Sequence, residues 1–465
     1  MAKARKNKTH NLKRIQCLVD ELLDKCLHFA TNEKPTNSVS SILDEHRQLY
    51  EIIERLIELE KDVGTALPDR EAHFDSFIDW CKNNGIDCSN IEVFKCDGDN
   101  EYGLKTRVDI NENDLLLVIP RKLILSTETA FNDNCYATFA KVDPILQSMP
   151  NVLLSMHIIE EYCKGDSFWK PYLSICPSHY STPLYYTHEQ MKLLKGSTAL
   201  QEAVKLCRNI FRQYAYFWKQ LHTPSSAASK LSMKNVFTFN LYRWGISTAM
   251  TRQNFVPSTD GSTMINALIP LWDLCNHKSG KQSTDYCNER GAIVCYAMQH
   301  FSSGDQITIF YGNRSNAEFL IHNGFVADDN ENDFIYINLG ISKNDPLFAL
   351  KSQLCKQVNV PVADKFILKA KNRAMDKNLL AFLRIFHMNQ NELESLIDNS
   401  DQLFATESEK YKHLQNRIDL FMSTRCDLLI TSYDNPNNVL QTQISGNIIK
   451  LISFEKNILE SYVLK

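Results

Sequence analysis

The 465-residue chain contains no Cys-x-x-Cys pair, although 14 cysteines are spread from Cys17 to Cys426. A structural zinc cluster needs Cys and His ligands in close pairs, so that scaffold class is excluded and no metal is expected. No apolar leader segment is present either. Residues 1–14, MAKARKNKTHNLKR, carry six Lys/Arg and no acid, and no hydrophobic run follows them. That start reads as a frayed, solvated terminus rather than a secretory or binding signal. No stretch reaches the ~18 uncharged apolar residues of a membrane span. The expectation is a soluble intracellular chain whose thiols stay reduced and fill small core positions. Charge of neither sign is in excess, at a net −4, which gives no chain-wide attraction to nucleic acid or anionic membrane. Glycine-rich G-x-G-x-x-G and Walker A sequences are missing, and with them Rossmann and P-loop nucleotide sites. There is no internal repeat.

What is present suffices for a large core. Hydrophobic residues make up 43% and charged residues 23%, and the length suits two or three domains. Residues 40–60, SSILDEHRQLYEIIERLIELE, put Ile42, Leu49, Ile53, Leu56 and Leu59 near one helical face. A second amphipathic helix, HFDSFIDWCKNNG, ends on an Asn-Asn-Gly stop. IEVFKC and LLLVIPRKLIL read as strands separated by polar turns containing Gly98 and Gly103. Residues 126–250 are mostly helical, strands return in AIVCYAM, QITIFYG and FIYINLG, and the last ~120 residues are helical again. Helices, strands, helical insertion, strands, helices is an α+β order, not a doubly wound βαβ alternation.

Two segments carry the chemistry, LIPLWDLCNHKSG at 268–280 and ITIFYGNRSNAEF at 307–319. Alone, the first reads as a buried strand end with a satisfied histidine, and Tyr311 in the second as a core aromatic before a turn. Together, in order, and with EYGLKT upstream, they resemble the paired signature of SET-domain methyltransferases. In that family the two segments thread into a pseudoknot around S-adenosylmethionine, a rare topology and therefore a specific one. SFWKPYL, TPLYYT, RQYAYF, YRWGISTAMTRQN and FYGNRSNAEFLIHNGF extend the resemblance, from about residue 70 onward, to the actin-histidine methyltransferase branch of the RuBisCO-methyltransferase-like group.

That resemblance implies a pseudoknotted SET β-fold with a helical insertion and an all-helical C-terminal substrate-binding domain. The expected divisions are an N-terminal helical segment at 1–80, a SET domain at 81–335 with its insertion at about 126–250, and the helical domain at 336–465. It implies S-adenosylmethionine contacts at Arg70, Asn100, Glu101, Tyr102, Arg252, Asp273, Leu274, Cys275, Asn276, His277 and Asn323. Tyr311 resembles the active-site tyrosine. Asn254, with Trp272 beside it, resembles the pocket for the target ring, and Arg212 and Arg314 resemble substrate-groove residues.

Methyl transfer is an in-line displacement, so placement of the reacting atoms matters more than strong acids or bases. An imidazole with a pKa near 6.5 is already mostly neutral at pH 7, whereas a lysine near 10.4 must first lose a proton. The imidazole needs only a held tautomer, and a neutral amide such as Asn254 can hold it. Asn254 reads equally as a turn residue before Pro257. Where relatives commonly show Glu-Gly-Phe-Gly, this chain has Asn100-Glu101-Tyr102-Gly103, and Asn323 stands where a serine is common.

The expected activity is S-adenosylmethionine-dependent methylation of a histidine of actin at the tele nitrogen. A lysine methyltransferase acting on a histone or another protein, and a non-catalytic docking protein, are the alternatives. Actin is the expected partner, without nucleic acid or membrane. The chain is expected to be a monomer in the cytoplasm, with the nucleus left open.

Overall fold

Two long helices, Ala2–Thr31 and Val39–Glu60, pack on one another at the start of the chain. Ser38 caps the second, its Oγ accepting the Ser41 N–H at 3.2 Å. Ile42, Leu49, Ile53 and Leu56 are buried along one side of it. Each such side chain contributes roughly 1.5–3 kcal/mol on burial. Phe74–Asn83 follows, closed by Asn84 and by Gly85 at φ +96°. The structure is a computed structural model describing residues 2–33, 38–96, 101–397, 400–404, 411–434 and 442–464, with side chains from His10 onward.

The chain divides into two compact units. The first comprises Met1–His188, Ala203–Asn313 and His322–Asp329; the second comprises Glu189–Glu202, Arg314–Ile321 and Asn330–Lys465. In the first unit, a four-stranded sheet runs in the order Ile91–Lys95, Tyr102–Thr106, Gln306–Ile309, Asn276–His277. Its first three strands are antiparallel neighbours, and the last pair is parallel. Two three-stranded sheets accompany it: Leu115–Pro120 with Ala292–Tyr296 and Thr284–Cys287, and Leu125–Ser126 with Met264–Leu268 and Asn254–Pro257. Gly103 lies inside Tyr102–Thr106, not in a turn as expected, because its missing side chain is needed there; Gly98 lies outside the described residues.

Helices fill the interval between the early and late strands. Pro150–Cys163, Ala199–His222 and Phe239–Arg252 are the long ones. Gly245 lets Phe239–Arg252 cross Pro150–Cys163 closely, since a Cβ there would collide with Ile159. That crossing fixes where Arg252 and Asn254 emerge at the helix end.

The second unit is mainly helical, through Phe348–Gln357, Lys377–His387, Lys412–Ile430 and Gln443–Glu460. The all-helical expectation is corrected in one respect. Ile335–Gly340 pairs antiparallel with Ala363–Leu368, whose exposed Asp364 and Lys365 hide the strand pattern in the sequence. All fourteen cysteines are free thiols. No helix among the described residues is long and apolar enough to cross a membrane.

Candidate active site

Parallel pairing of Thr308 with Asn276 and Ile309 with His277 brings the two signature segments side by side. Tyr311, two residues beyond that register, arrives at the other strand's entry. Its phenol donates to the Cys275 carbonyl at 2.7 Å, and its N–H donates to Nδ1 of His277 at 3.2 Å. The His277 ring lies 5.2 Å from Tyr311 and 5.9 Å from Phe325, centroid to centroid. Burial raises the phenol's pKa well above its usual value, with Arg252 opposing. Tyr311 is therefore protonated at neutral pH and acts as a donor, not a base. Just upstream, Leu271 sits at φ +73° and ψ −49°, a strained turn for a branched residue. It swings the chain so that Trp272–Leu274 forms a 3₁₀ turn before the Asn276–His277 strand.

Charge is concentrated behind this slot. Arg252 Nη1 donates to the Asp273 carbonyl at 2.9 Å and lies 3.4 Å from the Asp273 carboxylate. Tyr172 donates its hydroxyl to the same carboxylate. Burial pushes the Asp273 carboxyl up, resisted by Arg252 and the Tyr172 hydrogen bond. Burial works against the Arg252 charge, but Asp273 together with Cys176, Tyr180 and Tyr172 more than offsets it, and the guanidinium stays charged. Arg70 is buried, its guanidinium over the Tyr102 ring at 4.7 Å and the Phe74 ring at 5.6 Å. Burial, with Arg252 adding to it, lowers the Arg70 pKa to about 10. Two cations thus face one carboxylate. Arg252 Nε and Asp273 Oδ1 are both buried without a hydrogen-bond partner among the described residues.

Asn276 turns its side-chain amide toward Cys96 Sγ and the Tyr102 carbonyl, each 3.5 Å away. A Cβ on Gly103 would stand 2.7 Å from Gln306 Nε2 and 3.1 Å from Asn276 Nδ2, so only glycine fits without displacing them. Tyr102 anchors its hydroxyl on Glu71 at 2.5 Å, and Glu101 is exposed. Leu274 and Cys275 are buried, so their backbone is what they present here. Asn323 donates to the Thr251 carbonyl at 3.4 Å. Asn100 lies outside the described residues.

Asn254 opens the Asn254–Pro257 strand opposite Ala267, so it is not the turn residue its Pro257 neighbour suggests. Its Nδ2 donates to the Arg252 carbonyl at 3.1 Å. Trp272 departs from expectation. It is 1% exposed, with its indole N–H on Thr284 Oγ1 at 2.7 Å, and so presents no water-reachable wall. Nor does Arg212 come to the slot: it is half-buried on Ala199–His222, where its charge is felt by the Cys26 thiol. Arg314 belongs to the second unit, where its carbonyl accepts from Asn330 Nδ2 at 2.8 Å.

Three contributors escaped the sequence reading. Tyr172, within the quoted SFWKPYL, is one, since a buried phenol needs a partner. Gln306, which opens the quoted QITIFYG, and Phe325, which closes the quoted FYGNRSNAEFLIHNGF, are the others; their stretches were noted but neither residue was given a role.

Residues 101–312 match the SET domain family and residues 342–459 the Rubisco LSMT substrate-binding family. With the paired segments above, these define a SET-domain methyltransferase. The fold agrees with the crystal structure of the SET domain of LSMT bound to lysine and AdoHcy, at a TM-score of 0.65 and 18% identity over 85% of this chain and 91% of that one. A structure of Rubisco LSMT bound to AdoMet gives 0.62 and 20%, over 83% of this chain and 90% of that one. The chain belongs to the actin-histidine N-methyltransferase family: it is 37% identical to the Xenopus tropicalis member over 95% of its own length and 77% of the relative's. The Mus musculus member is also 37% identical, over 97% and 77%.

Proposed function

We propose that this chain transfers a methyl group from S-adenosylmethionine to the tele nitrogen of a histidine in actin. The observation that carries the reading is the 37% identity, over 95% of the chain, with a protein named actin-histidine N-methyltransferase. The site's chemistry fits the cofactor. Two arginines, Arg70 and Arg252, beside Asp273 suit a carboxylate, and Arg252 Nε and Asp273 Oδ1 remain unpartnered among the described residues. The gap that Gly103 preserves beside Asn276 admits close approach to the backbone. Arg70, Arg252, Asp273 and Asn276 would hold the amino-acid end, with the Leu274 and Cys275 backbone, His277, Asn323, Asn100, Glu101 and Tyr102 around the remainder. When bound, the cofactor supplies a methyl carbon made electrophilic by a sulfonium.

The chain's own residues do the rest by placement. Asn254 commits Nδ2 to the Arg252 carbonyl, which leaves Oδ1 to accept the N–H of a target ring. Held at that nitrogen, the imidazole presents its other nitrogen bare. No general base is required for attack, because the ring is mostly neutral at pH 7. After transfer the ring carries a positive charge and loses its remaining N–H proton to water. Tyr311, protonated and fixed on Cys275, braces the slot. The reading extends to a monomer working on actin in the cytoplasm, with the nucleus as a second compartment and without nucleic acid or membrane.

Incubation of the purified chain with methyl-labelled cofactor and methyl-deficient actin tests it. Label should map to one histidine ring. Label on lysine, or none on actin, overturns the proposal.

A further inference from the structure

The first unit contains a second cavity, of about 380 Å³, walled by the helix Val39–Glu60, the segment around 179–186, and the helices Ala199–His222 and Phe239–Arg252. Its lining combines aromatic faces from Tyr50, Tyr185, Tyr186 and Phe211 with a single cation, Arg243. None of these residues belongs to the methyl-transfer slot. The size falls within the ~300–1,000 Å³ of small-molecule sites, which pair apolar walls with a few placed polar groups.

Arg243 is what makes this more than a packing gap. Its guanidinium lies over the Tyr185 ring at 4.4 Å and the Phe239 ring at 5.6 Å. One N–H reaches the Leu184 carbonyl at 3.3 Å. No carboxylate among the described residues pairs with it, and burial, only partly opposed by the Tyr185 and Tyr50 phenols, lowers its pKa below the usual arginine value. By contrast Arg208, buried on the neighbouring helix, is matched by both Glu33 and Glu45. Arg243 is half-buried and has no direct ion-pair partner, and ring faces replace only part of what a carboxylate on the guanidinium supplies.

The rest of the lining narrows the ligand. His46 and His179 add no charge: burial lowers the pKa of both, His46 to about 3. Glu54 and Glu58, exposed on the helix beside the cavity, repel added negative charge. Arg243 is the lining's one cation and can pair with one carboxylate, while the nearby Glu54 and Glu58 disfavour a second negative charge, so a monoanion suits the cavity better than a dianion. We propose that this cavity is a binding site for a small aromatic monocarboxylate, with the carboxylate on Arg243 and the ring between Tyr50, Tyr185 and Phe211.

The test uses the full chain and 4-hydroxyphenylacetate as probe, followed by calorimetry. Saturable 1:1 binding is expected, at least tenfold weaker for phenyl phosphate and for the uncharged p-cresol. Arg243→Gln should weaken it at least tenfold, and Arg243→Lys less. Equal binding of p-cresol, or undiminished binding by a folded Arg243→Gln variant, makes Arg243 a structural cation and overturns the proposal. Should that variant fail to fold, hydrogen exchange on the unmodified chain decides. The probe should slow exchange in residues 46–58 and 179–186, and no slowing there overturns it equally. The outcome is independent of methyl transfer, since no residue is shared with that slot.

Discussion

The hydroxyl of Tyr311 and the backbone carbonyl of Cys275, 36 positions apart, meet at 2.7 Å, and this bond ties the two signature segments into one slot. Tyr311→Phe removes the donor and leaves the carbonyl unpaired, at a cost of roughly 1–3 kcal/mol. Turnover on actin should fall at least tenfold, with the cofactor KM changed by less than threefold. Steady-state kinetics with labelled cofactor measures both, and unchanged turnover removes Tyr311 from its assigned role.

Asn254→Phe takes away the amide that holds the ring tautomer and substitutes an aromatic wall. Histidine methylation should drop steeply, and lysine methylation should rise relative to it, when peptides differing only at the target residue compete. Retention of full histidine activity would mean the amide does not hold the ring.

Gly103→Ala places a methyl 2.7 Å from Gln306 Nε2 and 3.1 Å from Asn276 Nδ2. Overpacking of this kind typically costs ~1–3 kcal/mol. Because the displaced amide belongs to the cofactor pocket, cofactor affinity should weaken more than global stability. A calorimetric Kd within twofold of the parent's would contradict this.

Asp273→Asn leaves Arg252 and Arg70 facing each other without their shared carboxylate. Removing one partner of a buried pair costs about 3–5 kcal/mol. Urea unfolding should register a loss of that order, along with lost methyl transfer; a loss under ~0.5 kcal/mol, ordinary for surface changes, would argue against a real ion pair.

Glu60 provides a pH test away from the slot. Burial raises its pKa to about 7, against hydrogen bonds from Tyr214 and from the Phe239 N–H at 2.7 Å. The folded chain therefore binds this proton more tightly than the unfolded chain does. The resulting stabilisation is complete below pH ~4.5 and is lost as pH rises to about 7, a change of at most ~3 kcal/mol. Glu60→Gln, which cannot titrate, should show a smaller stability loss between pH 4.5 and 7 in urea unfolding. Parallel curves for parent and variant would show that Glu60 keeps an ordinary pKa.

Much was legible in the residues alone. Periodicity located Val39–Glu60 and Phe74–Asn83, and LWDLCNH with IFYGNRSNAEF gave the class, because helix faces and motif residues are local properties of the chain. Three-dimensional partners were not legible. Trp272 looks like a pocket wall on paper and is instead spent on Thr284, while Arg212 faces the N-terminal helices. Ala363–Leu368 was hidden by its polar start and is a strand only because Ile335–Gly340 lies against it. The sequence by itself determined which groups are available: an amide at 254, a phenol at 311, two arginines and one aspartate. Only the tertiary structure decided which of them share a dielectric pocket and a hydrogen bond. Those are pairwise properties of atoms that a chain brings together across dozens of intervening residues, and no local pattern encodes them.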